Sequence, residues 1–154
     1  MKNVCTIFYP LFNLWIAEEN NYLVNLSYSK IEGEYNYFKS SFLSLVEKQL
    51  DSYFKRELKE FSIPFKYDLG DFGNRVLDQM KMIPYGKTLS YKDLATKIDS
   101  SAYRALGSVC NKNPIAIIIP CHRIIKSNGD YKGYAVSNEI KKYLLELEGV
   151  ICER

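Results

Sequence analysis

Apolar and aromatic residues cluster over 4–9, 12–17 and 22–28, in runs of strand length. Pro10 and the polar run Glu18-Glu19-Asn20-Asn21 separate them. From Phe38 to about Phe54 the period changes. Phe38, Phe42, Leu45, Val46, Gln49, Leu50 and Tyr53 recur at steps of three and four, which predicts an amphipathic helix. A small sheet covered by one helix accounts for residues 1–66. Ser62-Ile63-Pro64-Phe65 reads as an extended linker, because Pro64 biases Ile63 away from the helical region. Phe72, Val76, Leu77 and Met80 then mark a second helix, which Ile83-Pro84-Tyr85-Gly86 stops.

Two short helices follow, over about 90–98 with Ser90 as the cap and over about 101–111, with Asp99-Ser100 as the turn between them. The second places Tyr103, Leu106 and Cys110 on one face and Arg104, Ser108 and Asn111 on another. Two short helices joined by a tight turn form the helix-turn-helix pattern, which is also common in purely structural helix pairs. Ser101, Ala102, Ala105, Gly107 and Ser108 make the second helix narrow, suited to a groove or to close helix packing. After Asn113-Pro114 the apolar run Ile115-Ala116-Ile117-Ile118-Ile119 predicts a buried strand, ending at Pro120-Cys121-His122-Arg123. A last helix is expected from a cap at Asn138, with Ile140, Tyr143, Leu144 and Leu147 as its apolar face and Gly149 as its stop. The whole is an α+β, two-domain pattern. A structural sheet-and-helix domain spans 1–66, and a mainly helical domain with a helix-turn-helix and an active-site loop spans 67–154.

Charge adds a direction. Residues 1–66 balance eight basic against eight acidic side chains, whereas 81–132 hold nine basic residues against Asp93, Asp99 and Asp130. A local basic excess suits a phosphate backbone, although a solvated lysine-rich surface would look the same. No run approaches the roughly 18 apolar residues of a membrane span, and no signal-peptide pattern is present. A cytoplasmic location is the expectation, or nuclear in a eukaryote. The four cysteines, Cys5, Cys110, Cys121 and Cys152, form no C-x-x-C pair, and His122 is the one histidine. Neither a zinc site nor a disulfide framework is expected. Cys5, Cys110 and Cys152 read as small buried hydrophobes.

Cys121 differs because it follows a proline and precedes that sole imidazole. A thiolate is a strong nucleophile, but an unassisted cysteine is only a few per cent ionised at neutral pH. His122 is the available base. Neighbours in a regular strand face opposite ways, so cooperation requires a bend here or a bridging water, and Pro120 favours the bend. A carboxylate to orient His122 would complete the arrangement. Glu148, in the last turn of the final helix, is the candidate, with a solvent-facing helix end as the plain alternative.

Ile119-Pro120-Cys121-His122-Arg123-Ile124 resembles the Pro-Cys-His-Arg-Val signature of the O6-alkylguanine-DNA alkyltransferases. Ile83-Pro84-Tyr85-Gly86-Lys87-Thr88, Ser90-Tyr91, Leu94-Ala95, Arg104-Ala105-Leu106-Gly107, Asn113-Pro114, Gly133-Tyr134 and Leu144-Leu145-Glu146-Leu147-Glu148-Gly149 follow that family's order and spacing. The resemblance runs from about Phe72 onward.

It implies that Cys121 accepts the alkyl group, His122 acts as its base through a water, and Glu148 orients His122. Asn113 would brace the turn carrying the cysteine, and the Tyr91 hydroxyl would donate to the departing guanine. Arg104 would fill the space of the flipped nucleotide. The narrow helix would enter the minor groove with Ser101, Ala102, Ala105 and Ser108 at the DNA, and Arg123 as a further DNA contact. Ile124, Tyr134, Ala135, Val136 and Lys141 would line the substrate pocket. The implied partner is double-stranded DNA containing O6-alkylguanine, with no cofactor, no membrane and no obligatory protein partner, and a monomer is expected. Where the family has a glycine pair after the tyrosine loop, this chain has Ala135-Val136. The bulk of Val136 favours methyl over large alkyl groups. Three other readings compete. A non-repairing alkylated-DNA binder would carry another residue in place of Cys121. A cysteine hydrolase would need an oxyanion hole. A plain helix-turn-helix regulator would leave the Cys-His pair unexplained.

Overall fold

The computed structural model describes residues 1–131 and 137–150 and shows a mixed α+β chain in two compact units. The first is Met1–Tyr67 with Pro114–Ala116, and the second is Asp68–Asn113 with Ile117–Arg154. The first unit carries a four-stranded sheet in the order β3-β2-β1-β4. Its strands are β1 (Asn3–Phe8), β2 (Asn13–Glu19), β3 (Tyr22–Ser27) and β4 (Asn36–Tyr37). The first three pair antiparallel, and β4 lies parallel on the β1 edge. Two residues give β4 no alternation to read, so the pattern did not reveal it.

Helix α1 (Ser41–Phe54) packs on β1 and β2. Its N-cap is Ser40, whose hydroxyl accepts from the Leu43 amide at 3.2 Å and donates to the buried Glu18 carboxylate at 2.8 Å. The helix therefore starts later than the expected Phe38, which is exposed. The buried stripe is Phe42, Leu43, Val46, Leu50 and Tyr53, and Leu45 points to solvent. Apolar side chains alone could not separate these two stripes, which overlap at Phe42, Val46, Leu50 and Tyr53.

In the second unit α2 (Gly70–Met80), α3 (Tyr91–Lys97) and α4 (Tyr103–Asn111) pack on one another. Val76, Leu77, Met80, Leu94, Leu106 and Cys110 are buried among them. Ser90 caps α3 by accepting from the Asp93 amide at 3.0 Å. The Arg75 guanidinium donates to the Ile98 carbonyl at the C-terminal end of α3. Helix α4 begins two residues later than the pattern suggests. Tyr103 is 52% exposed and so stands outside the buried face of Leu106 and Cys110. β5 (Leu89–Ser90) and β6 (Ile124–Ile125) form a short parallel pair beside the site.

The apolar run 115–119 is buried apart from the half-buried Ile118, as its composition demands, but it is not a strand. Only Ile115 pairs, as an isolated parallel bridge to Leu26, flanked by Leu26 N–H to Pro114 O and Ala116 N–H to Leu26 O bonds. The chain then turns at Ile117, whose φ is 70°. Burial takes in four of these five apolar side chains without an extended backbone, and only the first of them meets a partner strand. Helix α5 (Asn138–Leu147) is capped by Ser137, not Asn138, through bonds to the amides of Glu139 and Ile140. Its buried face is Ile140, Lys141, Leu144, Leu145 and Leu147, so Lys141 replaces the half-exposed Tyr143.

Candidate active site

Cys121, His122 and Arg123 form one turn of 3-10 helix between Pro120 and β6. The turn supplies the bend that a regular strand would deny. All three side chains are buried, and His122 is 0% exposed. Two bonds secure the start of the turn: Cys121 N–H donates to Ile119 O at 2.8 Å, and Arg123 N–H to Pro120 O at 2.9 Å. Asn113 Nδ2 donates to that same Ile119 carbonyl at 2.7 Å. The asparagine thus shares an acceptor with the cysteine's own amide.

Glu148 reaches the turn because of how α5 ends. Val150 N–H bonds to Leu145 O at 2.8 Å and Gly149 N–H to Glu146 O at 3.0 Å, with Gly149 at φ 87°. This crossed pair is the Schellman motif, which needs the left-handed residue that glycine provides. It leaves Glu148 as the C-cap, with its side chain wholly buried. The solvent-facing alternative for Glu148 therefore fails.

Four donors converge on this carboxylate. His122 Nε2 lies 2.8 Å from Oε2, Arg123 Nε 2.8 Å from Oε1, Arg123 Nη2 2.8 Å from Oε2, and Gly86 N–H 3.2 Å from Oε1. The arginine fork is the bidentate geometry that carboxylates favour. Its Nη1 donates to Ile83 O at 2.7 Å. Gly86 sits at φ 77°, and a Cβ there would come within 3.1 Å of the Glu148 carbonyl. Both the backbone and the tight space therefore favour glycine at this position.

These contacts settle charge states. Burial alone would raise the Glu148 pKa, but hydrogen bonds and charges from His122 and Arg123 outweigh it and hold the carboxyl well below the usual carboxylate range. Burial dominates at His122 and lowers its pKa from 6.5, against the opposing pull of Glu148. At neutral pH the imidazole is neutral beside an ionised carboxylate. Its Nε2 must then be the protonated nitrogen, because the carboxylate can only accept. Nδ1 keeps a lone pair, and it has no hydrogen-bond partner among the described residues. The site therefore holds a buried thiol next in sequence to an oriented neutral base with one nitrogen available.

Tyr91, the first residue of α3, is half-buried. Desolvation, with charges at Cys110 and Cys121, pushes its phenol up to about 12, so it remains a proton donor at physiological pH. Lys141 is 1% exposed and donates to the Ile124 carbonyl. Desolvation lowers it to about 8, against the opposing effect of negative charge at Cys121 and Cys110. Cys110 is pushed up to about 12 by burial and then by Cys121, which leaves it an unreactive thiol. Burial likewise raises Cys5 to about 11.

Cys121, His122, Glu148, Asn113, Ile124 and Lys141 are thus linked around the turn. Arg123 is a correction. Its basic side chain suggested a DNA contact, but it is buried and committed to Glu148 and Ile83. Gly86 and Arg123 were both missed as partners of Glu148. Glycine after Pro84-Tyr85 was a readable sign of a tight turn, whereas nothing in the sequence linked that turn to residue 148. On α4, Arg104 and Ser108 are exposed and Ala105 is half-buried, and Ser101 and Ala102, just before the helix, are exposed. Tyr134, Ala135, Val136 and Cys152 lie outside the described residues. Among the described residues no group of three or more His, Cys, Asp or Glu side chains is placed to hold a metal ion. No helix among them is long and apolar enough to cross a membrane.

The second unit thus holds a short helix pair and, apart from it, a buried cysteine next in sequence to a histidine that is paired with a buried glutamate. The chain belongs to the 6-O-methylguanine DNA methyltransferase family, whose DNA-binding domain matches residues 71–150. It is 44% identical over 109 residues to the methylated-DNA–protein-cysteine methyltransferase of Methanosarcina acetivorans, covering 70% of each chain. It is 36% identical over 145 residues to the protein of the same name from Methanosarcina mazei, covering 90% of this chain and 92% of that one. Its structure is similar to that of Mycobacterium tuberculosis OGT crystallised in complex with DNA, with a TM-score of 0.87 and 36% identity over 95% of this chain and 92% of that one.

Proposed function

We propose that this protein repairs DNA by moving an alkyl group, chiefly methyl, from O6-alkylguanine in a duplex to its own Cys121, once per molecule. The observation that carries this reading is the 2.8 Å contact between His122 Nε2 and the buried Glu148 carboxylate, next to the cysteine. His122 takes the thiol proton at Nδ1, directly or through a water, and the imidazolium so formed is stabilised by Glu148. The thiolate sulfur forms a bond to the alkyl carbon as the bond from that carbon to guanine O6 breaks. The electron pair goes to the guanine, and the Tyr91 hydroxyl supplies a hydrogen bond or proton that makes it a better leaving group. The product is a thioether with no route back, which gives single turnover without a cofactor.

The target carbon lies inside a duplex, so the nucleotide must leave the stack at a cost of a few kcal/mol. Arg104, exposed on the narrow helix α4, would offset that cost from the groove. Incubation with methylated duplex should raise the intact mass by one methyl and stop there. Continued turnover would indicate a hydrolase, and binding without a mass change a recognition module. Arg104→Ala should slow transfer from duplex DNA by about tenfold or more, with little effect on free O6-methylguanine or benzylguanine base. Parallel single-turnover assays on the two substrates check this. Equal losses would place Arg104 in the pocket or the fold. Affinity for DNA should fall with salt as phosphate contacts release counterions.

A further inference from the structure

Four residues before Cys121, the backbone of Ile117 takes an unusual conformation. Its φ of 70° lies in the left-handed region. Glycine enters that region freely, asparagine sometimes, and a β-branched residue only when its surroundings force it there. The Ile117 side chain is 1% exposed, so burial is what holds it. Ile117 is also the residue at which the chain leaves Pro114–Ala116 and re-enters the second unit. Two residues on, the Ile119 carbonyl accepts from both Asn113 Nδ2 at 2.7 Å and Cys121 N–H at 2.8 Å. That carbonyl anchors the start of the cysteine's turn, two residues after the left-handed Ile117.

We propose that Ile117 is a positioning residue for alkyl transfer: its buried side chain anchors the backbone in the left-handed well, which aims the Ile119 carbonyl and so places the turn that carries Cys121 and His122. Glycine at this position would suit the φ better and yet serve worse, because it opens many other conformations. Stability and transfer rate should then respond in opposite orders. The inference rests on the transfer reaction proposed above.

The experiment compares Ile117→Gly, Ile117→Ala and Ile117→Val by thermal melt and by transfer rate at saturating methylated duplex, with DNA affinity measured separately. At an ordinary position alanine is the more stable of the two truncations. Here Ile117→Gly should melt about 3 °C above Ile117→Ala. Ile117→Gly should nevertheless transfer more slowly than Ile117→Ala, and about ten- to a hundredfold below wild type, with DNA affinity unchanged. Ile117→Val keeps the branch and should keep the wild-type rate. In the wild-type protein, a strong intraresidue NOE between the Ile117 amide proton and Hα should confirm the positive φ. A negative φ, a glycine variant less stable than alanine, or a glycine variant with the wild-type rate overturns the proposal. So does failure of both truncations to fold, which would make the turn a folding determinant only. A wild-type protein that gains no methyl on Cys121 would instead refute the transfer reaction itself, and the melt order of the variants would still stand.

Discussion

Cys121→Ser should abolish alkyl transfer, with a loss on the order of 10⁴-fold or more, as for removal of a nucleophile elsewhere. The hydroxyl keeps the shape of the thiol but is a far weaker nucleophile at neutral pH. The turn is held by Asn113, Ile119 and Pro120 through backbone acceptors, so the substitution leaves its frame intact. Binding to methylated duplex should therefore persist. Replacement of Cys5 or Cys110, whose thiols are pushed up to about 11 and about 12, should leave transfer intact apart from any packing cost. Peptide mapping of the protein after reaction provides the check. A methyl group on Cys5, Cys110 or Cys152 would overturn the assignment.

Glu148→Gln should both weaken the fold and slow the chemistry. Four donors surround the carboxylate, and an amide can accept at only one of its two heavy atoms. Arg123 would stay buried and charged without its counterion. Breaking a buried pair in this way costs about 3–5 kcal/mol. On a solvent-facing helix end the same change would have been neutral or mildly stabilising.

The pH dependence identifies the cause. The Glu148 pKa is depressed in the folded state, so its contribution is present above its unfolded value of 4.5 and is lost as pH falls toward the folded value. The stability gap between wild type and Glu148→Gln should therefore be full at neutral pH and close on acidification below about 4.5. Glu148 also raises the basicity of His122. Without it the imidazole protonates only at lower pH, so the acid limb of the transfer rate should move to lower pH while the plateau falls. Single-turnover rates across pH, beside denaturant titrations, test both effects. A plateau at the wild-type level would remove Glu148 from the mechanism.

The elements with long periods were legible in the sequence. α2 shows its buried face directly in Val76, Leu77 and Met80, and the Ser90 cap marks the start of α3. Short or ambiguous signals were not. β4, β5 and β6 have two residues each, too few for an alternation. The 115–119 run shows that apolar continuity encodes burial and not conformation, since Ile117 turns where a strand would continue. Charge had the same weakness. Arg123 and Arg104 are equally basic in the sequence, and one is sealed under Glu148 while the other stands in solvent. The Cys121-His122 pair was visible because it is contiguous. Its partners on the Ile83–Gly86 turn and at the end of α5 come from segments whose meeting is decided by packing, which no local pattern records.

That separation along the chain has a temporal consequence. His122 and Glu148 are 26 positions apart, and Gly86 and Glu148 are 62 apart. A short peptide spanning 119–125 would carry the full Pro-Cys-His-Arg signature with an ordinary, unassisted thiol. On the ribosome, which makes the chain from its N-terminus, Cys121 is synthesised well before the carboxylate that orients its base. On the proposed mechanism, the thiol gains its oriented base only when Glu148 has been added and α5 has folded. On the same mechanism, a nascent chain stalled before that point would carry the cysteine and histidine without the carboxylate that orients the base for transfer.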